Sequence, residues 1–142
     1  MIFTDAEVRF LTRQLRGHLA TLGSNGTPQV KRLGFIYNPT LDTIDITGFN
    51  MAASAKYRNV KANPNVAFVV DEVTEQSMEG AHFLEVRGVA ETALGTHDLQ
   101  GHLAPEIIRI HPRRIVSFNV DPDAPGFAAR DVEPAELRDQ VA

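Results

Sequence analysis

The sequence predicts a mainly β protein, a β-barrel with accessory helices. About seven short segments have the alternation or the β-branched composition of strands, and turns rich in Gly, Pro and Asn join several of them. Only two segments have helical spacing. Closing a mostly antiparallel sheet into a barrel removes its exposed edges. We therefore expect one domain over residues 1–142, with residues 122–142 as a C-terminal loop or tail.

The composition limits the functional classes. Hydrophobic residues make up 43% of the chain and charged residues 23%, which is typical of a globular domain with a real core. The sequence has no cysteine, which excludes disulfides, thiolate metal sites and a cysteine nucleophile. The formal net charge of -4 argues against bulk nucleic-acid binding. With neither a signal-peptide pattern nor a long apolar run, we expect a cytoplasmic protein without membrane contact.

The first element is predicted to be a helix. Thr4 and Glu7 have the spacing of a capping box, in which the two side chains satisfy free backbone N–H groups. Leu11 and Leu15 continue an apolar stripe at helical intervals, and Gly17 is expected to end the helix.

Three strands of a meander are predicted next: HLATLG (18–23), PQVKRLGFIY (28–37) and TIDIT (43–47). The strand TIDIT alternates strictly. Ile44 and Ile46 are expected to face the core, and Asp45 is expected to face outward.

A second helix is predicted over residues 51–62, where Asn63 and Pro64 stop it. The strand after it, NVAFVVDEV, is apolar on both faces, so we expect it inside a closed structure or between the core and a partner. The remaining strands are predicted at residues 83–92, 106–110 and 114–120, the last two forming a hairpin around His111 and Pro112.

The segment SAKYRNVKANPN suggests an anion site. Ser54 and Lys56 stand at the N-terminal end of the predicted second helix. Free N–H groups and the helix dipole favour an anion there, and a hydroxyl with an ammonium group would complete a phosphate site. A solvated basic helix face explains the same pattern.

A second candidate lies in KRLGFIY. Arg32 and Gly34 face the same side of the predicted strand, and a position without a side chain lets a flat ring lie against the backbone. A glycine at a barrel corner is the alternative interpretation.

The other polar residues offer no catalytic or metal site. His97 and His102 lack a metal-ligand spacing, so we interpret them as surface loop residues. No serine has a nucleophile-elbow context, and no acid–base pair stands out. Arg113 and Arg114 are open to three interpretations: a grip on a ligand anion, a contact with a partner subunit, or a solvated turn.

The order of these segments resembles a known family: GTPQVKRLGFIYNP, DTIDITG, SAKYRNVKANPNVAFVVDE, EVRGVAE and PEIIRIHPRRIVSF. Over about residues 5–132 the chain resembles the pyridoxamine 5'-phosphate oxidase-like split β-barrel flavoproteins, and more specifically their actinobacterial F420-dependent (deazaflavin) branch. The resemblance implies an FMN-binding split barrel of six to seven antiparallel strands. It also implies a homodimer with cofactor sites between the subunits.

The resemblance carries a set of cofactor-binding residues onto this chain: Lys31, Arg32, Leu33, Gly34, Thr47, Gly48, Ser54, Lys56 and Asn59. Ser54 and Lys56 would hold the phosphate, and the run from Lys31 to Gly34 would lie along the tricyclic ring. Some deazaflavin-binding relatives have arginine in place of Ser54 and a smaller polar residue in place of Arg32. These departures leave F420 and FMN as alternative cofactors.

The function implied is that of an F420-dependent oxidoreductase, which transfers a hydride between its cofactor and a small organic substrate. One alternative is an FMN-dependent oxidoreductase of the same fold. The other is a non-catalytic F420- or flavin-binding protein.

Overall fold

The computed structural model describes residues 1–95 and 103–133. The predicted loop histidines His97 and His102, and the last residues of the predicted tail, lie outside the described residues. The elements in chain order are α1 (Asp5–Thr12), β1 (Arg16–Leu22), β2 (Pro28–Asn38), β3 (Thr43–Ile46), a 3-10 turn (Met51–Ala53), α2 (Ala55–Ala62), β4 (Asn65–Val73), β5 (Ala81–Leu94), β6 (Glu106–Phe118) and β7 (Phe127–Asp131). Neither described helix has the length and apolar character needed to cross a membrane.

All strand pairs are antiparallel and belong to one sheet. The strand order is β3-β2-β1-β4-β5-β6-β7, and β3 also pairs with β6, so six strands close into a barrel. The closing register places Ile44 opposite Ile110 and Ile46 opposite Ile108, and β7 extends the sheet beyond β6. The predicted mainly β, six- to seven-stranded antiparallel barrel is confirmed.

The core fills the barrel with alternate side chains from every barrel strand, as period-two geometry requires. The largest fully buried side chains include Leu19, Ile44, Ile46, Phe68, Leu84, Ile108 and Ile110. Helix α1 adds Phe10 and Leu11 to this core, and α2 adds Val60.

Helix α1 begins as predicted but is shorter. Thr4 Oγ1 accepts from the Glu7 N–H at 3.2 Å, and Glu7 Oε1 accepts from the Thr4 N–H at 2.9 Å, which confirms the capping box. The helix ends at Thr12, so Leu15 is 84% exposed rather than part of the buried stripe. Gly17 does not end the helix; it lies in β1, where a Cβ would collide with the Phe68 ring.

Arg130 ties the last described strand to the first helix. Its guanidinium donates to both carboxylate oxygens of Glu7, at 2.6 and 2.7 Å, and to the carbonyl of Ile2 at 2.7 Å. The Phe127 ring packs 4.6 Å from that of Phe118. These contacts explain why part of the segment predicted as loop or tail forms strand β7.

The predicted hairpin around His111 and Pro112 is wrong, because β6 runs through both residues without a turn. Pro112 lies opposite Gly88, where the register shifts at a β-bulge. A bulge tolerates the missing proline N–H, and a Cβ at position 88 would collide with the His111 carbonyl. The glycine needed for this arrangement is on the neighbouring strand, so the proline alone suggested a break.

The expectation of an outward-facing Asp45 holds for direction but not for exposure. The residue is fully buried on the outer side of β3. Arg109 Nε and Nη2 donate to its two carboxylate oxygens at 3.0 and 3.1 Å, and Asn38 and Thr43 each donate at 3.0 Å. Hydrogen bonding to Asp45 raises the pKa of Arg109. A buried ion pair therefore sits on the ladder that closes the barrel.

We expect Asp45→Asn to lower the free energy of unfolding by about 3–5 kcal/mol, since it leaves the Arg109 guanidinium without its carboxylate. Urea unfolding followed by circular dichroism measures the change. Asp131→Asn is the matched control, because Asp131 pairs with Arg114 but its side chain is 84% exposed; we expect a loss below about 1 kcal/mol. Equal losses in the two variants would contradict the role of the buried pair.

Candidate functional site

The start of α2 offers unsatisfied backbone donors. Ser54 caps the helix: its Oγ accepts from the Tyr57 N–H at 3.3 Å and donates to the Met51 carbonyl at 2.6 Å. Within the described ranges, the N–H groups of Ala55 and Lys56 have no hydrogen-bond acceptor. Such free N–H groups favour a negative group. The Ser54 hydroxyl proton is already used, so Ser54 shapes this end of the helix.

Two lysines lie close together beside this helix end. Lys56 is half-buried, and its pKa is lowered first by burial and then by the positive charge of Lys31. Lys31 lies on β2 opposite Leu19, on the barrel side of that strand. No carboxylate in residues 1–95 or 103–133 forms an ion pair with either lysine. Two neighbouring cations without an acid are an arrangement that a bound anion stabilises.

Asn59 fixes α2 to the sheet. Its side-chain amide donates to Thr21 Oγ1 at 3.0 Å and to Gln29 Oε1 at 2.8 Å. The side-chain N–H groups of Asn59 therefore already donate to residues of β1 and β2. Asn59 thus fixes α2 against Gln29, which lies two residues before Lys31 on β2, and Lys56 lies one helical turn before Asn59.

The first half of β2 has an open edge. Residues 28–34 pair with β1 on one side, whereas pairing with β3 begins only at Phe35. The Thr47 N–H donates to the Gly34 carbonyl at 3.3 Å, which ends that ladder. Alternate residues of a strand bond to opposite neighbours. Arg32 and Val30 therefore direct their N–H and C=O groups to an edge with which no strand in the described part of the chain pairs.

Leu33 contributes packing to this region rather than an accessible surface. Its side chain is 7% exposed within the core, and its backbone faces Gly17 of β1. Arg32 is exposed on the outer side of β2 opposite His18, and Gly34 lies on that same side opposite Arg16. The predicted common side of Arg32 and Gly34 is thus confirmed.

A cleft of about 600 Å³ forms where β2 and β3 separate. Gly34, Thr47 and Gly48 form its floor; we call it the β2–β3 cleft. A Cβ at position 34 would lie 3.5 Å from Thr47 Oγ1, so the missing side chain leaves backbone surface accessible. The Ala104 N–H donates to the Gly48 carbonyl at 2.8 Å and anchors the floor. The remaining lining residues are Leu15, Arg16, Phe35, Ile36, Phe49 and Leu103.

The structure gathers seven of the nine predicted site residues into two groups; Arg32 lies at the open edge of β2 and Leu33 in the core. Lys31 and Lys56 form one group, which Ser54 and Asn59 position, and Gly34, Thr47 and Gly48 form the other. Lys31 and Gly34 are three residues apart on β2, which corresponds to about 10 Å.

Sequence reasoning missed Leu15, Arg16 and Phe49, which line the same cleft as the second group. The position of Phe49 directly after Gly48 was the available signal.

Arg113 and Arg114 lie in different environments. Arg114 Nη1 donates to Asp131 at 2.8 Å, whereas Arg113 forms no ion pair with any described residue. Arg113 borders a separate cavity of about 400 Å³ together with Arg87.

The outer face of β1, β2 and β4 exposes apolar surface. Val30 lies opposite Ala20, and Ala20 lies opposite Ala67, so the three side chains form a row across the sheet. Val30 is 65% exposed. A contiguous apolar face of this kind is typical of an interaction surface.

The comparisons with known proteins agree on one family. A family model described as Pyridoxamine 5'-phosphate oxidase matches residues 3–140. A 5a,11a-dehydrotetracycline/5a,11a-dehydrooxytetracycline reductase from Streptomyces rimosus subsp. rimosus is 40% identical over 134 residues, which cover 93% of this chain and 94% of the relative.

Solved structures share the fold. An F420 reductase is 30% identical and superposes with a TM-score of 0.58 over 75% of this chain and 93% of its own. A heme-binding protein from Mycobacterium smegmatis superposes with a TM-score of 0.66 over 92% of this chain and 60% of its own. Its identity is 13%, so this likeness concerns the fold alone.

We expect Lys31→Gln to raise the pKa of Lys56 towards its ordinary value, because the variant removes the neighbouring positive charge. NMR titration of the lysine side chains measures this pKa. Lys61→Gln is the control: it removes a charge from the same helix and leaves the Lys31 charge in place, and we expect the pKa of Lys56 to stay unchanged in this variant. The pKa of Lys56 is lower in the folded protein than in the unfolded chain, so the free energy of unfolding rises with pH between these two pKa values. Lys31→Gln should bring the two pKa values closer together and so narrow the pH range over which stability rises. An unchanged Lys56 pKa would contradict the proximity of the two lysines.

Proposed function

Because the chain belongs to the pyridoxamine 5'-phosphate oxidase family, we propose that it is an oxidoreductase that uses a phosphate-bearing deazaflavin, F420, as its cofactor. It transfers a hydride between that cofactor and a small organic substrate. The pair of unneutralised lysines, Lys31 and Lys56, beside the free N–H groups of α2 is the observation that carries this proposal. The cytoplasmic location expected from the sequence belongs to the same proposal.

The residues present fit a cofactor with a charged tail and a flat polar ring. Lys31, Lys56 and the first N–H groups of α2 would hold the phosphate. The open edge of β2 at Arg32 would hydrogen-bond the polar rim of the ring, and the bare backbone at Gly34 would let the ring lie flat. Lys31 and Gly34 are about 10 Å apart along the backbone of β2. Because Lys31 faces the barrel side and Gly34 the outer side, the cofactor would lie across the open edge of the strand to reach both.

When bound, a flavin or deazaflavin supplies the two-electron hydride chemistry itself. The chain's own residues bind the tail, orient the ring against β2 and limit water at its buried side. This division of labour is consistent with a site built from lysines, glycines and backbone groups.

Two of the comparisons support the assignment of activity and cofactor. The Streptomyces relative is a reductase, and the 30% identical structure is an F420 reductase, which favours a deazaflavin. FMN is the second candidate, because the lysine pair recognises a phosphate that both cofactors carry. Haem serves as a comparison ligand, since a heme-binding protein shares the fold.

We also propose that the protein is a homodimer whose cofactor sites lie between the subunits. The row formed by Val30, Ala20 and Ala67 supports this proposal, because it is exposed and apolar on the outer face of the sheet. It adjoins Arg32 on β2, so a partner packed on this face would help to enclose a ring at the open edge.

We expect Lys56→Ala to weaken cofactor binding at least tenfold, the loss expected for a charge-assisted contact of about 1.5–3 kcal/mol. The dissociation constants of F420, FMN and haem are measured side by side on one preparation by absorbance or fluorescence titration. Lys61→Ala is the control, because it removes the same charge from the last turn of the same helix. An unchanged dissociation constant in Lys56→Ala would remove the lysine from the site. No uptake of F420 or FMN by the native chain would refute the proposed function.

We expect Val30→Asp to convert the dimer to a monomer, because it buries a charge in the proposed interface. Sedimentation velocity measures the mass. Val73→Asp is the matched control, since Val73 is equally apolar and 68% exposed but lies at the end of β4, outside the row. A native protein that sediments as a monomer would exclude the homodimer.

A further inference from the structure

Two large apolar side chains stand exposed at the rim of the β2–β3 cleft. Leu15 is 84% exposed and Phe49 80% exposed, and both line the cleft. Single exposed apolar side chains are common, but two that flank a concave site are typical of a binding site for a small apolar molecule. The whole cleft of about 600 Å³ lies within the range of ligand sites, about 300–1,000 Å³, and the cofactor ring proposed for its floor would take part of that volume.

The position of Phe49 is set by its neighbours rather than by packing of its own ring. On its N-terminal side, Thr47 is bonded to Gly34 and Gly48 is bonded to Ala104. The ring is therefore presented to solvent from an anchored backbone. An exposed aromatic face on an anchored backbone can stack on a flat ligand that rests against the cleft.

Among the residues that the structure describes, the same cleft contains one cation without a partner, Arg16. Arg16 begins β1 and lies directly opposite Gly34, so its side chain emerges beside the floor. None of the described lining residues is acidic, and Arg16 forms no ion pair or side-chain hydrogen bond within residues 1–95 and 103–133. The guanidinium can thus receive the negative oxygen of a ligand that rests on the floor.

We infer that the rim of this cleft is the substrate subsite and that the substrate is a flat, ring-containing organic anion. Phe49 stacks on its rings, Leu15 covers their edge, and Arg16 pairs with the charged oxygen. The inference rests on the proposed function, because the floor at Gly34, Thr47 and Gly48 is then occupied by the cofactor ring. The cofactor phosphate is held by Lys31 and Lys56, so Arg16 is left for the substrate.

Three probes separate shape from charge: anthraquinone sulfonate is flat and anionic, hydroxymethyl anthraquinone is flat and neutral, and adamantane carboxylate is anionic and not flat. Each probe is titrated by calorimetry into the full chain, saturated with the oxidised form of whichever cofactor the protein binds, so that no hydride is available to reduce the quinones. We expect Phe49→Ala to weaken both flat probes about tenfold and to leave the adamantane probe within about twofold. We expect Arg16→Gln to weaken both anions about tenfold and to spare the neutral probe.

Conservative and distant variants provide the controls. Phe49→Trp and Arg16→Lys should restore most of the lost affinity. Met78→Ala and Arg9→Gln remove an exposed apolar side chain and an exposed cation away from the cleft, and should change nothing. The side chains of all four substituted residues are exposed in the native protein: Arg9, Arg16, Phe49 and Met78. Circular dichroism verifies that the variants fold.

The cofactor affinity of the same variants separates this inference from the proposed function. We expect it to change by less than about twofold. If Phe49→Ala weakens the cofactor as much as the flat probes, or if the probes displace the cofactor, Phe49 belongs to the cofactor site and the inference fails while the proposed function stands. Unchanged probe binding in both Phe49→Ala and Arg16→Gln would also overturn it. Uptake of the probes without uptake of F420 or FMN would refute the proposed function and leave the ligand class intact.

Discussion

The pairing of β3 with β6 is the constraint on which the candidate site depends. It joins residues about 64 positions apart, and its central rung is the buried ion pair of Asp45 and Arg109. Once β3 is held against β6, it pairs with β2 only as far as Phe35 and then leaves it. The open edge of β2 and the β2–β3 cleft both arise at that point. Barrel closure and the candidate site are therefore two results of one strand register.

The lysine pair shows how the fold brings two like charges together in the candidate site. Lys31 and Lys56 come from a strand and a helix that are joined by the bonds of Asn59 to Thr21 and Gln29 and by the burial of Val60. Bringing like charges together opposes folding, and burial of Lys56 adds to that cost. A bound anion would offset both effects, so the lysine pair without a ligand lowers the stability of the fold. The proposed cofactor phosphate is an anion of this kind.

Local signals in the sequence predicted most of the fold. The capping box at Thr4 and Glu7 and the alternation of Ile44 and Ile46 each depend on neighbouring residues, and both were read correctly. The failures have distant causes. The continuity of β6 through Pro112 depends on Gly88 of another strand, and the burial of Asp45 depends on Arg109.

The same distinction applies to the candidate site. Ser54 and Lys56 lie in one short segment, and their place at a helix start follows from the sequence. The cleft lining formed by Leu15, Arg16 and Phe49 combines the start of β1 with the segment after β3, and the exposure of these side chains is a tertiary property. The position of Phe49 directly after Gly48 is the one sign of it in the sequence.

The hydrogen bonds that Arg130 makes with Glu7 and Ile2 have a consequence for local unfolding. These bonds join α1 and the residues before it to β7, so detachment of either α1 or β7 breaks the contacts of Arg130. Local opening should then involve α1 and β7 as one cooperative unit, and amide hydrogens in both should exchange with solvent at a common rate. A barrel secured in this way resists unravelling from its ends.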